Sequence, residues 1–196
     1  MNRALSHDIS TARLRSTSDT SRHTRAICAC SLKRACNFGV GASDGTHSGG
    51  DGEPEDVLAA LHAARELPGG SAIGLAGYSF GASMAIRAFG RADPMPPVLI
   101  LVSPPLSTLG ATLLADDPHP RPLSQARERG GLGRLLISGD RDHVCPAAEL
   151  DALAKRLHPP ADCVIVDGAD HSWFGHEAEL RDTVGSFLRW HLIAPR

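Results

Sequence analysis

Two continuous aliphatic runs constrain the fold of this chain more than any other feature of its sequence. They read PVLILVSPP at 97–105 and RLLISGD at 134–140. Neither run alternates apolar with polar residues, as the strands of a half-exposed sheet do. Continuous apolar runs are typical of strands that are covered on both faces, as in parallel sheets. We therefore expect a buried sheet at the centre of the protein.

Strand and helix patterns alternate around these two runs. SAIGLAGYS at 71–79 and DCVIVDGAD at 162–170 predict two further strands, and apolar residues at 3- and 4-residue spacing predict helices over 54–67, 80–90, 146–158 and 177–192. This order predicts an α/β fold, a mostly parallel sheet with helices on both faces. Functional groups in such sheets follow the carboxyl ends of the strands. That rule brings the following residues to one edge: Ser79, Ser103, Asp140, Asp142, Asp170 and His171.

Ser79 lies between two glycines in LAGYSFGAS, with the spacing Gly77-x-Ser79-x-Gly81. The motif joins a predicted strand to a predicted helix, which is the context of a nucleophile elbow that exposes a serine hydroxyl above the sheet. The backbone N–H of Phe80 would then supply an oxyanion donor at the amino end of the helix. The alternative is that Ser79 is only a small residue in a glycine-rich bend.

A nucleophilic serine requires a base, and the base works best when a carboxylate orients it. SGDRDHVCP at 138–146 contains two acid candidates, Asp140 and Asp142, and GADHSWFG at 168–175 contains the base candidate His171. The order Ser, Asp, His is the one that accompanies an elbow serine. The other histidines and the nearby cysteine have simpler interpretations: His143 in a turn or lining the site, Cys145 packed near the acid loop, and His176 and His191 solvated.

From about Asn37 onward, these motifs resemble the α/β-hydrolases, and specifically the small bacterial serine hydrolases related to dienelactone hydrolase. The family's acid lies in a G-x-x-D-x-x-x-P segment, which matches Gly139, Asp142 and Pro146 here. Its histidine follows a G-x-x-H turn, which falls on 168–171. The resemblance therefore implies Ser79 as nucleophile, Asp142 as acid and His171 as base. Asp140 is expected to shape its turn through hydrogen bonds to the backbone.

The resemblance fails near the start of the chain. NFGVGASDGTH at 37–47 lacks the arginine that the family usually has after the phenylalanine, and residues 1–36 contain none of the family's earlier strands or its oxyanion loop. His47 follows too late to replace that loop. We expect two parts, an atypical or disordered segment at 1–36 and an α/β-hydrolase domain at 37–196. The first part is explained best as a truncated or frame-shifted reading of a longer gene, and missing strands would leave a sheet edge uncovered.

Charge and cysteine content set the remaining expectations. The net charge of −2 gives no reason to expect nucleic acid or an anionic membrane as partner. Residues 1–40 hold seven Arg or Lys against two Asp or Glu, which suits a disordered tail or, as an alternative, a transit peptide. Five cysteines without a CxxC pair indicate reduced thiols and a cytoplasmic protein. The spacing of Cys28, Cys30 and Cys36 matches no common zinc site, so neither metal nor cofactor is expected.

Two functions of different classes follow. The first is a serine hydrolase that cleaves a small carboxylic ester through an acyl-enzyme, with thioesters, lactones and small amides as alternative substrates. The second is an inactive relative that serves as a binding module, which the missing oxyanion loop favours. The Pro- and Gly-rich segment 104–133 is expected to shape the pocket. An oligomer could form through the uncovered sheet edge.

Overall fold

The protein has a five-stranded sheet in which every neighbouring pair of strands is parallel. The computed structural model describes residues 25–28, 48–66, 73–107, 132–157 and 160–193. The strands lie side by side in the order in which they occur along the chain. They are β1 Arg25–Cys28, β2 Ile73–Tyr78, β3 Val98–Val102, β4 Gly133–Gly139 and β5 Asp162–Val166.

Both aliphatic runs form central strands, as predicted. All five residues of β3 and all seven of β4 are buried, because each strand has a neighbour on both sides and helices above and below. Successive side chains of a strand point to opposite faces. Leu99 and Leu101 therefore join one cluster of apolar side chains, while Val98, Ile100 and Val102 join another on the opposite face.

In the described part of the chain, four α-helices cover the two faces of the sheet. They are α1 Glu53–Arg65, α2 Phe80–Phe89, α3 Ala147–Arg156 and α4 Glu177–Leu188. Side chains of α1, α2 and α3 pack on the face that carries Leu99, and those of α4 pack on the face that carries Ile100. The predicted α/β fold with helices on both faces is therefore confirmed.

The helix boundaries follow from local sequence. Pro54 lies in the first turn of α1, where the backbone N–H groups make no hydrogen bond within the helix, so the N–H that proline lacks is not needed there. Three acidic residues lie in the same turn. The helix predicted over 177–192 is α-helical only to Leu188 and continues as a short π-helical segment, Arg189–Ile193. Among the helices of the described ranges, none combines the length and the apolar character needed to cross a bilayer.

Strand β1 was not expected from the sequence. RAIC is only four residues long and has no continuous apolar run, so its sequence pattern does not predict a strand. It pairs with β2 from Arg25 opposite Ile73 to Cys28 opposite Ala76. The side of β2 where missing strands were expected therefore carries a strand from within the segment 1–36. The boundary at residue 36 stays a prediction, and the expected tail, His47 and most of the loop 104–133 lie outside the described residues.

Candidate active site

Ser79 occupies a strained turn between β2 and α2. Its backbone has φ 50° and ψ −122°, values that L-residues adopt only when the surrounding structure holds them there. Two hydrogen bonds do so: Ser79 N–H donates to the carbonyl of Val102 at 2.9 Å, and Ala82 N–H donates to the carbonyl of Ser79 at 2.9 Å. Gly77 permits the turn, because a Cβ there would come within 2.2 Å of the Gly81 carbonyl oxygen.

His171 reaches Ser79 from the loop after β5. Its Nε2 lies 2.9 Å from the Ser79 hydroxyl oxygen, although 92 positions separate the two residues in the chain. The hydroxyl of Tyr78 donates to the main-chain carbonyl of His171, and the two rings lie 5.6 Å apart. The residue before the serine thus fixes the loop that carries the histidine. The imidazole is about 29% exposed, so one side of it faces solvent.

Asp142 lies behind the imidazole, with its carboxylate fully buried. His171 Nδ1 is 3.1 Å from its Oδ1 and 3.0 Å from its Oδ2. The N–H groups of Val144 and Cys145 each donate to Oδ1 at 2.9 Å. Burial alone would raise the pKa of Asp142, but hydrogen bonds from Ser103, Cys145 and His171 lower it below its usual value. The carboxylate is therefore ionised at neutral pH and faces the histidine.

Asp140, the other acid candidate, does not contact the imidazole. It joins its own loop after β4 to the loop after β5 that carries His171. Its Oδ1 accepts a hydrogen bond from Gly168 N–H at 2.7 Å, and Arg141 N–H donates to the carbonyl of Ala169 at 3.0 Å. Gly139 allows this close approach, since a Cβ there would lie 2.0 Å from the Ala169 oxygen. Asp140 was expected to bind the backbone of its own turn, whereas the hydrogen bond that its side chain accepts comes from Gly168 in the loop after β5.

Two residues that hold the site were not assigned a role from the sequence. Trp173 is buried, and its indole N–H donates to the Ser103 hydroxyl at 2.8 Å. Tyr78 is the other, through its bond to His171. A polar aromatic residue directly before the serine, and another two residues after the histidine, were the available signals. Neither signal specifies a partner without the fold.

Phe80 is the first residue of α2, so its N–H belongs to the first helical turn. It also follows Ser79 directly, which is the position of an oxyanion donor in an elbow. The loop at 48–52 lies nearby: the carbonyl of Gly50 accepts a hydrogen bond from Arg87 of α2 at 2.7 Å. The role of the Phe80 N–H as an oxyanion donor stays a prediction.

The remaining side chains do not reach the serine. Cys145 is fully buried among core residues, as predicted, and burial raises the pKa of its thiol to about 12. His143 is exposed next to Asp142. His176 and His191 are half-buried and not solvated as expected, because His176 faces Glu179 and the ring of His191 packs 4.2 Å from that of Phe187. Within the described ranges no group of three ligating side chains could hold a metal ion; Cys30 and Cys36 lie outside them.

Taken together, a hydroxyl, an imidazole and a buried carboxylate lie in line at one edge of the sheet. Proton transfer from Ser79 to His171 requires a hydrogen bond between them, and the 2.9 Å separation provides it. A carboxylate on Nδ1 stabilises the imidazolium that would result. The arrangement can therefore generate a nucleophilic oxygen next to the amino end of α2.

Solved structures similar to this chain include serine hydrolases and esterases. A serine hydrolase homologue from Coxiella burnetii is 25% identical, with a TM-score of 0.63 over 84% of each chain. A serine hydrolase without a lid from Xanthomonas campestris is 21% identical, with a TM-score of 0.68 over 92% of this chain and 88% of its own. An esterase from Pyrococcus furiosus is 22% identical, with a TM-score of 0.59 over 80% of this chain and 69% of its own.

No family model matches the sequence, and no curated protein matches it either. The likeness therefore lies in the arrangement of strands and helices more than in residue identity. This chain has the parallel sheet, the helices on both faces and the serine at a strained strand-to-helix turn that are expected of an α/β-hydrolase fold. The chain belongs to the α/β-hydrolase superfamily.

Proposed function

We propose that this protein is a serine hydrolase that cleaves a carboxylic ester through an acyl-enzyme. The observation that carries the proposal is the contact of Ser79 Oγ with His171 Nε2 at 2.9 Å, with Asp142 on the other imidazole nitrogen at 3.0 Å. A serine, a histidine and an aspartate in this order and geometry can activate the serine hydroxyl as a nucleophile. If Ser79 were only a small residue in a glycine-rich bend, neither the histidine nor the aspartate would be needed.

In the proposed mechanism, the Ser79 oxygen attacks the ester carbonyl while its proton moves to His171 Nε2. The negative oxygen that develops is bound by the N–H of Phe80 at the start of α2. The C–O bond then breaks, and His171 returns the proton to the departing alcohol. Water, deprotonated by His171, attacks the acyl group on Ser79 and releases the carboxylic acid. Asp142 stays ionised and stabilises the imidazolium in both halves of the reaction.

An ester is the substrate class that we propose over a thioester, lactone or amide. An alcohol is a better leaving group than an amine, so an ester makes a smaller demand on the catalytic groups than an amide does. Support also comes from the Pyrococcus furiosus neighbour, which is named an esterase.

The proposal is tested by labelling with a fluorophosphonate probe and locating the modified residue by mass spectrometry. We expect the probe on Ser79 and no labelling of Ser79→Ala. The labelling rate of His171→Ala should fall by at least about 10³-fold, because the serine loses its base. His176→Ala is the matched control, since this second imidazole faces Glu179 and not Ser79. Circular dichroism should show that all three variants remain folded.

Short-chain p-nitrophenyl esters then test the substrate class. Hydrolysis by the wild type and its loss in Ser79→Ala would support the ester assignment. A folded wild-type chain that neither takes up the probe nor hydrolyses these esters would contradict the proposal. The alternative of an inactive binding module would then be the better account of the chain.

A further inference from the structure

Tyr78 is the last residue of β2 and lies directly before Ser79. Pairing with β3 holds it opposite Val102, and the N–H of Ser79 extends this attachment by donating to the Val102 carbonyl at 2.9 Å. The Tyr78 side chain is partly buried and packs against the apolar cluster on the face that carries Ile100. Tyr78 is therefore a fixed point of the sheet beside the candidate nucleophile.

The hydroxyl of Tyr78 connects this strand to the loop that carries His171. Residues 167–176 of that loop form turns, without a helix or strand, so individual hydrogen bonds must hold their backbone. The Tyr78 hydroxyl donates to the main-chain carbonyl of His171, which lies 93 positions away in the chain. The centres of the phenol and imidazole rings are 5.6 Å apart, and their planes are inclined by 31°. One side chain thus binds the backbone of His171 and lies beside its ring.

Other hydrogen bonds fasten this loop before and after the histidine. Gly168 is bonded to the loop after β4 at 2.7 Å, and Trp173 is bonded to the loop after β3 at 2.8 Å. The bond from Tyr78 differs from both, because it is made to His171 itself. It also comes from β2, the strand that leads into Ser79, and not from the loop of a neighbouring strand. The bond therefore sets the backbone of the residue that carries the imidazole relative to the residue that carries the hydroxyl.

We propose that Tyr78 is a positioning residue, whose hydroxyl holds the backbone of His171 where the imidazole is within hydrogen-bond reach of Ser79. The separation of 2.9 Å between Nε2 and the Ser79 oxygen is the distance that this bond maintains. The inference rests on the proposed function. Tyr78 acts through His171, so loss of its hydroxyl should slow proton transfer in the chemical step and leave substrate binding unchanged.

The test compares the wild type with Tyr78→Phe, using p-nitrophenyl acetate as substrate. This variant removes the hydroxyl and keeps the ring, so the packing against the apolar cluster is retained. We expect kcat to fall about 3- to 10-fold, the range for losing one neutral hydrogen bond, with KM within about twofold of wild type. If the wild type hydrolyses the ester and Tyr78→Phe does so equally fast, the inference is overturned.

The matched control is Ser172→Ala, which removes an exposed hydroxyl from the same loop. The Ser172 hydroxyl donates to Asp170 within the loop at 2.6 Å, so we expect its loss to change kcat by less than about twofold. A fall in kcat as large as that of Tyr78→Phe would overturn the inference. A merely structural role for Tyr78 would lower the free energy of unfolding, measured by urea denaturation, and leave kcat of the folded variant unchanged, which would overturn it as well.

Proton NMR provides a readout that does not depend on turnover. The Nδ1 proton of His171, which faces the Asp142 carboxylate, should resonate far downfield in the wild type. We expect Tyr78→Phe to broaden this signal, because a loop that opens more often exposes the proton to exchange with water, and Ser172→Ala to leave it unchanged. An unchanged signal in Tyr78→Phe would overturn the positioning role. Broadening in Tyr78→Phe, in a protein that neither hydrolyses esters nor is labelled at Ser79, would support that role and count against the proposed function.

Discussion

Glu53 is a buried carboxylate that holds the loop before α1. The residue is only 2% exposed, and its oxygens accept hydrogen bonds from Ser48 N–H at 2.8 Å, Ser48 Oγ–H at 2.7 Å and Gly50 N–H at 2.7 Å. Burial would raise the pKa of Glu53, but these hydrogen bonds outweigh it and bring the pKa down to about 2. The loop and the helix start thus depend on an ionised side chain.

Glu53→Gln should therefore destabilise the protein in a pH-dependent way. The pKa of Glu53 is lower in the folded state than its ordinary value of 4.5, so the unfolded chain binds more protons between these values. The contribution of the charge is fully present above about pH 5 and is lost as the pH falls toward about 2. We expect the variant to lose about 1–2 kcal/mol of unfolding free energy at pH 7, measured by urea denaturation.

The control for this prediction is Glu55→Gln in the same helical turn. Glu55 is exposed and pairs with Arg91 at the surface, so its replacement should change the free energy of unfolding by less than about 1 kcal/mol. Equal losses in the two variants at pH 7, or a Glu53→Gln loss that persists undiminished at pH 2, would contradict the account.

The candidate acid and base, Asp142 and His171, could be singled out in the sequence because each lies in a short turn with a recognisable spacing of glycine, aspartate and proline. The structure places His171 next to Ser79 and Asp142 next to His171, and their catalytic roles stay a proposal. The partners of these residues were not predictable in the same way. Whether Trp173 donates to Ser103 depends on backbone angles at two residues with positive φ, and sequence patterns do not encode those angles.

At the scale of elements, the elbow depends on how closely β2 and α2 approach each other. A Cβ on Gly77 would meet the backbone of Gly81 at 2.2 Å and that of Ala82 at 2.6 Å. Backbone atoms cannot rotate away as a flexible side chain can, so the strand or the helix must shift. Since Ser79 lies between the two elements, any such shift moves the Ser79 hydroxyl relative to His171.

Gly77→Ala should cost about 3 kcal/mol of unfolding free energy, the upper part of the range for overpacking, and should slow labelling of Ser79. Gly185→Ala makes the same change within α4, where the nearest side-chain atom to the new Cβ is 3.4 Å away. Alanine favours a helix over glycine, so this control should gain up to about 1 kcal/mol. Chemical denaturation of both variants gives the comparison, and a Gly77→Ala protein as stable as wild type would refute the packing argument.

Long elements with a strong pattern were predictable, and short ones supported by pairing were not. β3 and α1 carry enough apolar residues to be read directly, and their boundaries match the expected ones closely. β1 has four residues and is a strand because it pairs with β2. The end of α4 was predicted four residues late because its apolar spacing continues through the π-helical segment.

For the whole molecule, β1 and β5 are the two edge strands of the sheet in the described part of the chain. The burial of β5 is incomplete: only Val166 is buried, and Ile165 is 37% exposed. An open strand edge presents unpaired N–H and C=O groups to other chains. The sequence predicted an oligomer through the edge left by missing N-terminal strands, and β5, at the opposite edge, is a second place where such a contact can be tested.

We expect the protein to self-associate with increasing concentration and Ile165→Lys to reduce that association, because a lysine on an edge strand opposes strand pairing. Ala178→Lys is the matched control, since it adds the same charge at an exposed position on α4. Sedimentation velocity over a range of concentrations measures the effect. A wild type that stays monomeric, or two lysine variants that associate equally, would show that β5 is not the contact.

The order of the strands has a consequence for the protein during its synthesis. Because β1 to β5 lie in the sheet in the order in which they are made, each strand can add to the edge left by the one before it. Ser79 emerges with β2, but its imidazole partner arrives 92 residues later, after β5. A nascent chain that stops before β5 therefore carries Ser79 without the imidazole of His171. If Ser79 is the nucleophile that we propose, its hydroxyl becomes reactive only after residue 171 has been synthesised and β5 has joined the sheet.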